Sequence, residues 1–156
     1  LKLYSSPVEP YTGENLLSDN RLGTNNFGEG NWYGFLKSTP NNSSQNNAGD
    51  LIAEFSISEK VNEIGISCLS VYGSYILFPT KIELYDISGV IEKLIYSKSI
   101  DVVDNEKYSP KKIYKIPVNS SISKVKLKVV SNKNLPKGHP AQGDPAWLFV
   151  DEILLL

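Results

Sequence analysis

"SKVKLKVVS", residues 123 to 131, alternates strictly: Val125, Leu127 and Val129 fall on one side of an extended chain, and Lys124, Lys126 and Lys128 fall on the other. Successive side chains of a β-strand point to opposite faces, so this pattern describes a strand with one dry and one wet side. A helix would scatter the same residues around its circumference. The basic row reads as a solvated sheet face rather than an anion site.

The strand period extends outward from this stretch. "DLIAEFSI" (50 to 57), "EIGISCLSV" (63 to 71), "TKIELYDI" (80 to 87), "IEKLIYS" (91 to 97), "KIYKIPV" (112 to 118) and "AWLFVDEILLL" (146 to 156) are short and mostly β-branched and alternating. Trp32, just before "YGF", is expected in the core on an early strand. "ISGV" (87 to 90) reads as a hairpin turn, and "ENLLSD" (14 to 19) can form one helical turn; no window sustains a helical repeat. The long punctuating stretches "STPNNSSQNNAGD" (38 to 50) and "NKNLPKGHPAQGDP" (132 to 145) are rich in Asn, Gly, Pro and Ser. The expectation is an all-β antiparallel sandwich, one domain over residues 1 to 156, whose function resides in its loops.

Composition removes several classes. With 16 basic and 17 acidic side chains the formal net charge is −1, so no global field holds a nucleic acid by counterion release. No apolar run approaches the ~20 residues needed for membrane insertion as a helix, and the first residues lack the apolar region of a signal peptide. The absence of methionine suits a segment excised from a longer polypeptide. Cys68, the sole cysteine, lies in the apolar run "IGISCLSV" and is expected to be a small buried hydrophobe. Asn41, Asn42 and Asn119 begin glycosylation-type tripeptides, a pattern too short to carry weight in so Asn- and Ser-rich a chain.

Catalytic signatures are missing. The only histidine, His139, sits in a Gly-Pro loop without a nucleophile motif, and one Cys with one His does not make a zinc site. Glu29, Asp50, Asp144, Asp151 and Glu152 lie at strand ends or in loops, but no spacing selects a glycosidase pair, and solvated surface acids explain them more simply. "LLSDNRLGTNNFGEGNW" (16 to 32) is different: Asp19, Asn20, Thr24 and neighbouring carbonyls make an oxygen-dense turn suited to calcium, the alternative being an ordinary Asx-turn loop. Should Glu152 reach the same place, an oxygen cage would join the two ends of the chain.

Three ordered segments resemble the factor V/VIII type C (discoidin, galactose-binding-like) domain, in the version appended to the C-terminus of bacterial family-20 glycoside hydrolases, the β-hexosaminidases. They are "YTGENLLSDNRLGTNNFGEGNWYGF" (11 to 35), "GSYILFPTKIELY" (73 to 85) and "GHPAQGDPAWLFVDEI" (138 to 153). The resemblance implies a jelly-roll sandwich of about eight strands, without catalysis of its own, that meets carbohydrate through loops at one end. It departs from the family at Asn20, where a glycine is usual, and at Tyr75, where a tryptophan is usual. Asn tolerates the left-handed backbone a glycine would adopt, and Tyr keeps an aromatic face for stacking.

On that resemblance the expected sugar-binding residues are Tyr72, Tyr75, His139, Trp147, Asn31 and Asp144, with the His139 ring turned outward as a hydrogen-bond partner. For Trp147 and His139 a structural role stands as the equal alternative. The expected calcium ligands are Asp19, Thr24 and Glu152 with backbone carbonyls between Asn15 and Arg21. The implied partners are a galactose- or N-acetylhexosamine-type glycan and an adjacent catalytic domain, in an extracellular, periplasmic or cell-surface setting. The rival expectation is a structural accessory domain that packs on a catalytic neighbour without gripping sugar.

Overall fold

The dry face of residues 124 to 130 does become a core face. In the computed structural model, which describes residues 1–37, 48–58, 60–101, 110–119 and 121–156, Val125, Leu127 and Val129 are fully buried while the lysines between them reach solvent. The strands are β1 (Lys2–Leu3), β2 (Tyr33–Leu36), β3 (Leu51–Ser56), β4 (Glu63–Leu69), β5 (Lys81–Asp86), β6 (Lys93–Ser99), β7 (Lys111–Pro117), β8 (Lys124–Val130) and β9 (Trp147–Leu155). They form two antiparallel sheets, ordered β1-β3-β8-β5-β6 and β2-β9-β4-β7. Among the described residues the chain is an all-β sandwich of nine strands, in keeping with the expected sandwich of about eight.

Between the sheets lies one large apolar cluster that includes Phe35, Leu51, Ile64, Ile66, Cys68, Leu84, Leu127, Leu148 and Val150. Burying such side chains is the main stabilising contribution, on the order of 1.5–3 kcal/mol for each large one. Cys68 is fully buried and its thiol is pushed well above its ordinary range by desolvation, so it acts as a small hydrophobe. On the wet face, Lys124 pairs with Glu54 and Lys126 with Glu92. Such exposed pairs contribute little, typically below ~1 kcal/mol.

A second apolar cluster covers the outer face of the four-stranded sheet. Trp32, Leu69, Ile76 and Phe149 are buried there, with Tyr11, Phe27 and Trp147 packed around them. The N-terminal segment supplies much of this cover, which is why β2 is buried on both sides and shows no alternation. Trp32 is wholly buried, its indole N–H donating to the Thr24 carbonyl at 3.0 Å.

The structure corrects several sequence expectations. The β5–β6 connection is longer than the four-residue "ISGV" turn, because Asp86 accepts the Ser88 N–H at 2.9 Å and the Ser88 hydroxyl accepts from Lys124 N at 3.0 Å, which delays pairing until Lys93. Ile91, read as strand, is 82% exposed there beside a fully exposed Val90. Asp50, Asp151 and Glu152 are not solvated acids: they are 3%, 0% and 1% exposed. Asp50 accepts the Ser131 N–H at 2.9 Å and pairs with the Lys133 ammonium, tying the start of β3 to the end of β8. Most of the 38 to 50 loop, with Asn41 and Asn42, lies outside the described residues.

β9 carries the irregularity that matters most. Ser67 pairs with Glu152 and Cys68 with Val150, so Asp151 is the extra residue of a β-bulge. Leu148, Val150 and Ile153 all belong to the inter-sheet core, and the bulge absorbs the odd spacing between the last two. Asp151 and Glu152 therefore both leave the core face and meet the loop of residues 17 to 24.

Candidate functional site

Two loops meet where β4 ends and β9 begins. The first is a tight excursion between β4 and β5: Val71 and Ile76 exchange backbone hydrogen bonds of 2.9 and 3.3 Å, and a 3-10 turn, Tyr72–Ser74, fills the tip. The excursion docks on β9, with Trp147 N donating to the Tyr75 carbonyl at 2.8 Å and Leu77 N donating to the Trp147 carbonyl at 3.1 Å. The second loop is pinched at its neck, where Leu135 N donates to the Asp144 carbonyl at 2.7 Å and Gly143 N to the Leu135 carbonyl at 3.1 Å. Leu77, Leu135 and Ala146 form a small buried core beneath, flanked by Tyr72 and Ala141.

Tyr75 caps the 3-10 turn in the left-handed region, at φ 65°. That conformation is uncommon for an aromatic residue and persists only where its surroundings enforce it. Here its N–H donates to the Tyr72 carbonyl at 3.2 Å and its carbonyl is held by Trp147. The consequence is a tyrosine turned out of the excursion, the residue as a whole 38% exposed.

His139 is the support beneath. It is 5% exposed, its ring centroid 4.3 Å from that of Tyr72 and 5.5 Å from that of Tyr75. The Ala141 N–H donates to Nδ1 at 3.0 Å, and Nε2 lies 3.0 Å from the Tyr72 carbonyl. Those partners assign the tautomer: Nδ1 is bare and Nε2 carries the proton. The expected outward-facing histidine is thus corrected, since the ring points inward with both nitrogens engaged.

The other expected sugar-binding residues are spread around this point. Trp147 is half-buried, edge-on to Tyr11 at 5.2 Å and Phe149 at 5.7 Å, as a member of the outer aromatic cluster. Tyr72 is half-buried against His139, and Asp144 is exposed on the His139 loop. Asn31 is exposed immediately before Trp32. The structure thus unites Tyr72, Tyr75 and His139 directly and joins Trp147 to Tyr75 through the backbone.

The acidic group stands on the outer face of β9. Arg21 N donates to Asp19 Oδ1 at 2.9 Å and to Glu152 Oε2 at 3.3 Å, so one amide bridges carboxylates from opposite ends of the chain. Burial and a hydrogen bond with the Asp19 carboxyl push the Glu152 carboxyl up to about 7. Asn20 adopts φ 61°, the left-handed conformation expected where the family usually has glycine, and Asn15 adopts φ 57°. Thr24, in contrast, donates its hydroxyl to Glu29 Oε2 at 2.5 Å.

Asp151 anchors the same loop more deeply. It accepts the Gly23 N–H, while the Lys111 ammonium donates to the Gly23 carbonyl at 2.8 Å. Burial raises its carboxyl above the ordinary range against the opposing pull of Ser67, the Gly23 amide and Lys111. Neither Lys111 nor Gly23 carries a sequence signal for this role; the bulge that creates it is a property of pairing.

No family model matches the chain, and no curated protein matches it. Among solved structures it is similar to the family 32 carbohydrate-binding module of C. perfringens NanJ, determined in complex with galactose. The identity is 13% and the TM-score 0.49, over 97% of this chain and 90% of that one.

Proposed function

We propose that the chain is a non-catalytic carbohydrate-binding module that takes a galactose- or N-acetylhexosamine-type sugar against the exposed ring of Tyr75. The observation that carries this reading is the Tyr75 ring itself, raised by a left-handed backbone and backed by a buried histidine at the loop end where the sequence resemblance places carbohydrate. A pyranose presents an apolar C–H face to such a ring, and its hydroxyls seek amides and carboxylates. The exposed Asn31 and Asp144 are the candidates for those contacts. His139 is a positioning residue, since it has no ring nitrogen left for sugar.

One exposed ring limits the free energy available, and affinities of roughly micromolar to millimolar order follow. The module would raise the local concentration of an attached glycoside hydrolase, family-20-like by resemblance, on an extracellular or cell-surface glycan. A glycan array followed by calorimetry with galactosides, N-acetylglucosaminides and N-acetylgalactosaminides tests the reading. Binding to at least one class supports it; silence across all of them at millimolar sugar sinks it.

Calcium belongs to the same proposal as a structural ion. Asp19 and Glu152 are brought together by Arg21 N, and two carboxylates in contact favour either a shared proton or a cation. Among the described residues no group of three or more His, Cys, Asp or Glu side chains is arranged for a metal. Backbone carbonyls of residues 15 to 21 would therefore supply the remaining oxygens, with the Thr24 hydroxyl left to Glu29.

One observation favours the accessory-domain reading. Val90 and Ile91 are 105% and 82% exposed at the far end of β5 from Tyr75. An adjacent catalytic domain covering that tip would leave the Tyr75 end free, so the two readings can coexist. Val90→Asp with Ile91→Asp should break such docking in a two-domain chain while leaving sugar binding intact.

A further inference from the structure

We propose that His139 is a proton-operated latch: with a neutral ring it holds the Tyr72–Tyr75 turn in shape, and a second proton on the ring releases it. The regulatory meaning of the latch rests on the carbohydrate-binding reading of Tyr75, while the latch itself is a matter of geometry.

The Tyr72 carbonyl receives two donors, His139 Nε2–H at 3.0 Å and Tyr75 N–H at 3.2 Å. The second of these fixes the left-handed backbone of Tyr75, so the histidine props the same oxygen that sets the aromatic platform. On the other side of the ring, Nδ1 is an acceptor for Ala141 N–H at 3.0 Å. A proton added at Nδ1 would place two N–H donors face to face at that distance. The contact turns from attraction to repulsion, and the ring must rotate or withdraw.

Withdrawal has a defined path of consequences. The loop of residues 135 to 144 is closed on itself through His139, whose carbonyl takes Gln142 N at 3.0 Å and whose N–H reaches the Pro136 carbonyl at 3.1 Å. The ring meets the Tyr72–Tyr75 turn beside the small core of Leu77, Leu135 and Ala146, and when it leaves, Tyr72 loses its ring neighbour and Tyr75 the edge that backs it. The titratable groups facing the ring are Tyr72 and Tyr75 from the turn; on its own loop Lys137 and Asp144 are exposed. Among the described residues no carboxylate pairs with the ring to hold the cationic form in place. The geometry therefore favours the closed latch while the ring is neutral and the open one once it carries the second proton.

Because His139 is the only histidine, one NMR titration isolates it. The uniformly labelled chain is taken from pH 8 to pH 4.5 while the His139 Cε1–H, the Ala141 amide and the ring signals of Tyr72 and Tyr75 are followed. The expected result is one common midpoint for all of them, with Ala141 amide exchange at least tenfold faster on the acid side after correction for intrinsic rates. In His139→Gln, whose side-chain amide can still donate to the Tyr72 carbonyl but cannot titrate over this range, the tyrosine signals should lose that transition. A His139 titration that leaves Ala141 and both tyrosines unmoved overturns the proposal, as does a ring that takes up no proton across the range. It is equally overturned if the tyrosine transition persists in His139→Gln, or if core amides of Leu127 and Val129 move with it, which would signify global unfolding. No sugar enters this titration, so failure of the latch and failure of the glycan reading are separate results.

Discussion

Asp151 holds the backbone N–H of Gly23 from 128 positions away in the sequence, and the same glycine lies flat against Trp32. A Cβ built on Gly23 would stand 2.6 Å from Trp32 Cε2, in an aromatic cluster with no room to yield. Gly23→Ala should therefore destabilise the fold by roughly 1–3 kcal/mol through overpacking. A thermal melt checks this: a midpoint unchanged within about 1 °C would show that the ring can move aside.

Glu152 sets the direction of a pH effect. A carboxyl raised from 4.5 to about 7 in the folded state contributes stability that is complete below 4.5 and is lost as pH rises through about 7. The melting temperature of metal-free protein should accordingly fall between pH 5 and pH 8, with Asp151, also raised, acting in the same sense. Glu152→Gln cannot ionise and should recover on the order of 2 kcal/mol at pH 8. Melts of both proteins across that range provide the check, and parallel curves would contradict it.

Calcium should cancel that loss. A ligand that binds only the folded state stabilises it by about 2.7 kcal/mol at a hundredfold excess over its dissociation constant. For a chain of this size that is roughly 5–10 °C in melting temperature. Asp19→Asn should weaken the response and Thr24→Val should leave it largely intact, because the Thr24 hydroxyl is already bonded to Glu29. Melts in calcium against chelator read this directly, and equal midpoints would mean that hydrogen bonds alone hold the loop.

The sandwich was legible wherever one face of a strand is dry and the other wet. β8 is the clearest case, with Val125, Leu127 and Val129 inward and its lysines outward. β2 shows no such period, because Tyr33, Gly34 and Phe35 are buried on both faces, and only its place beside Trp32 marked it as an early strand. The bulge at Asp151 was invisible because "LFVDEI" looks like an unbroken strand; the slip exists only in its pairing with Ser67 and Cys68. His139 was legible as a residue of interest but not in its orientation, which depends on a carbonyl 67 positions away. Asp50 likewise reads as a loop acid until Lys133 and Ser131 fold over it.

The central claim is that the exposed ring of Tyr75 is the sugar platform, and calorimetry of Tyr75→Ala beside the parent chain measures it most directly. A bound galactoside or N-acetylhexosaminide should lose at least tenfold in affinity, while the melting temperature shifts by no more than a few degrees, because Tyr75 is 38% exposed and meets the His139 ring edge-on. Tyr75→Phe should retain most of the binding, since stacking needs the ring and not the hydroxyl. Undiminished sugar affinity in a folded Tyr75→Ala protein would contradict the account.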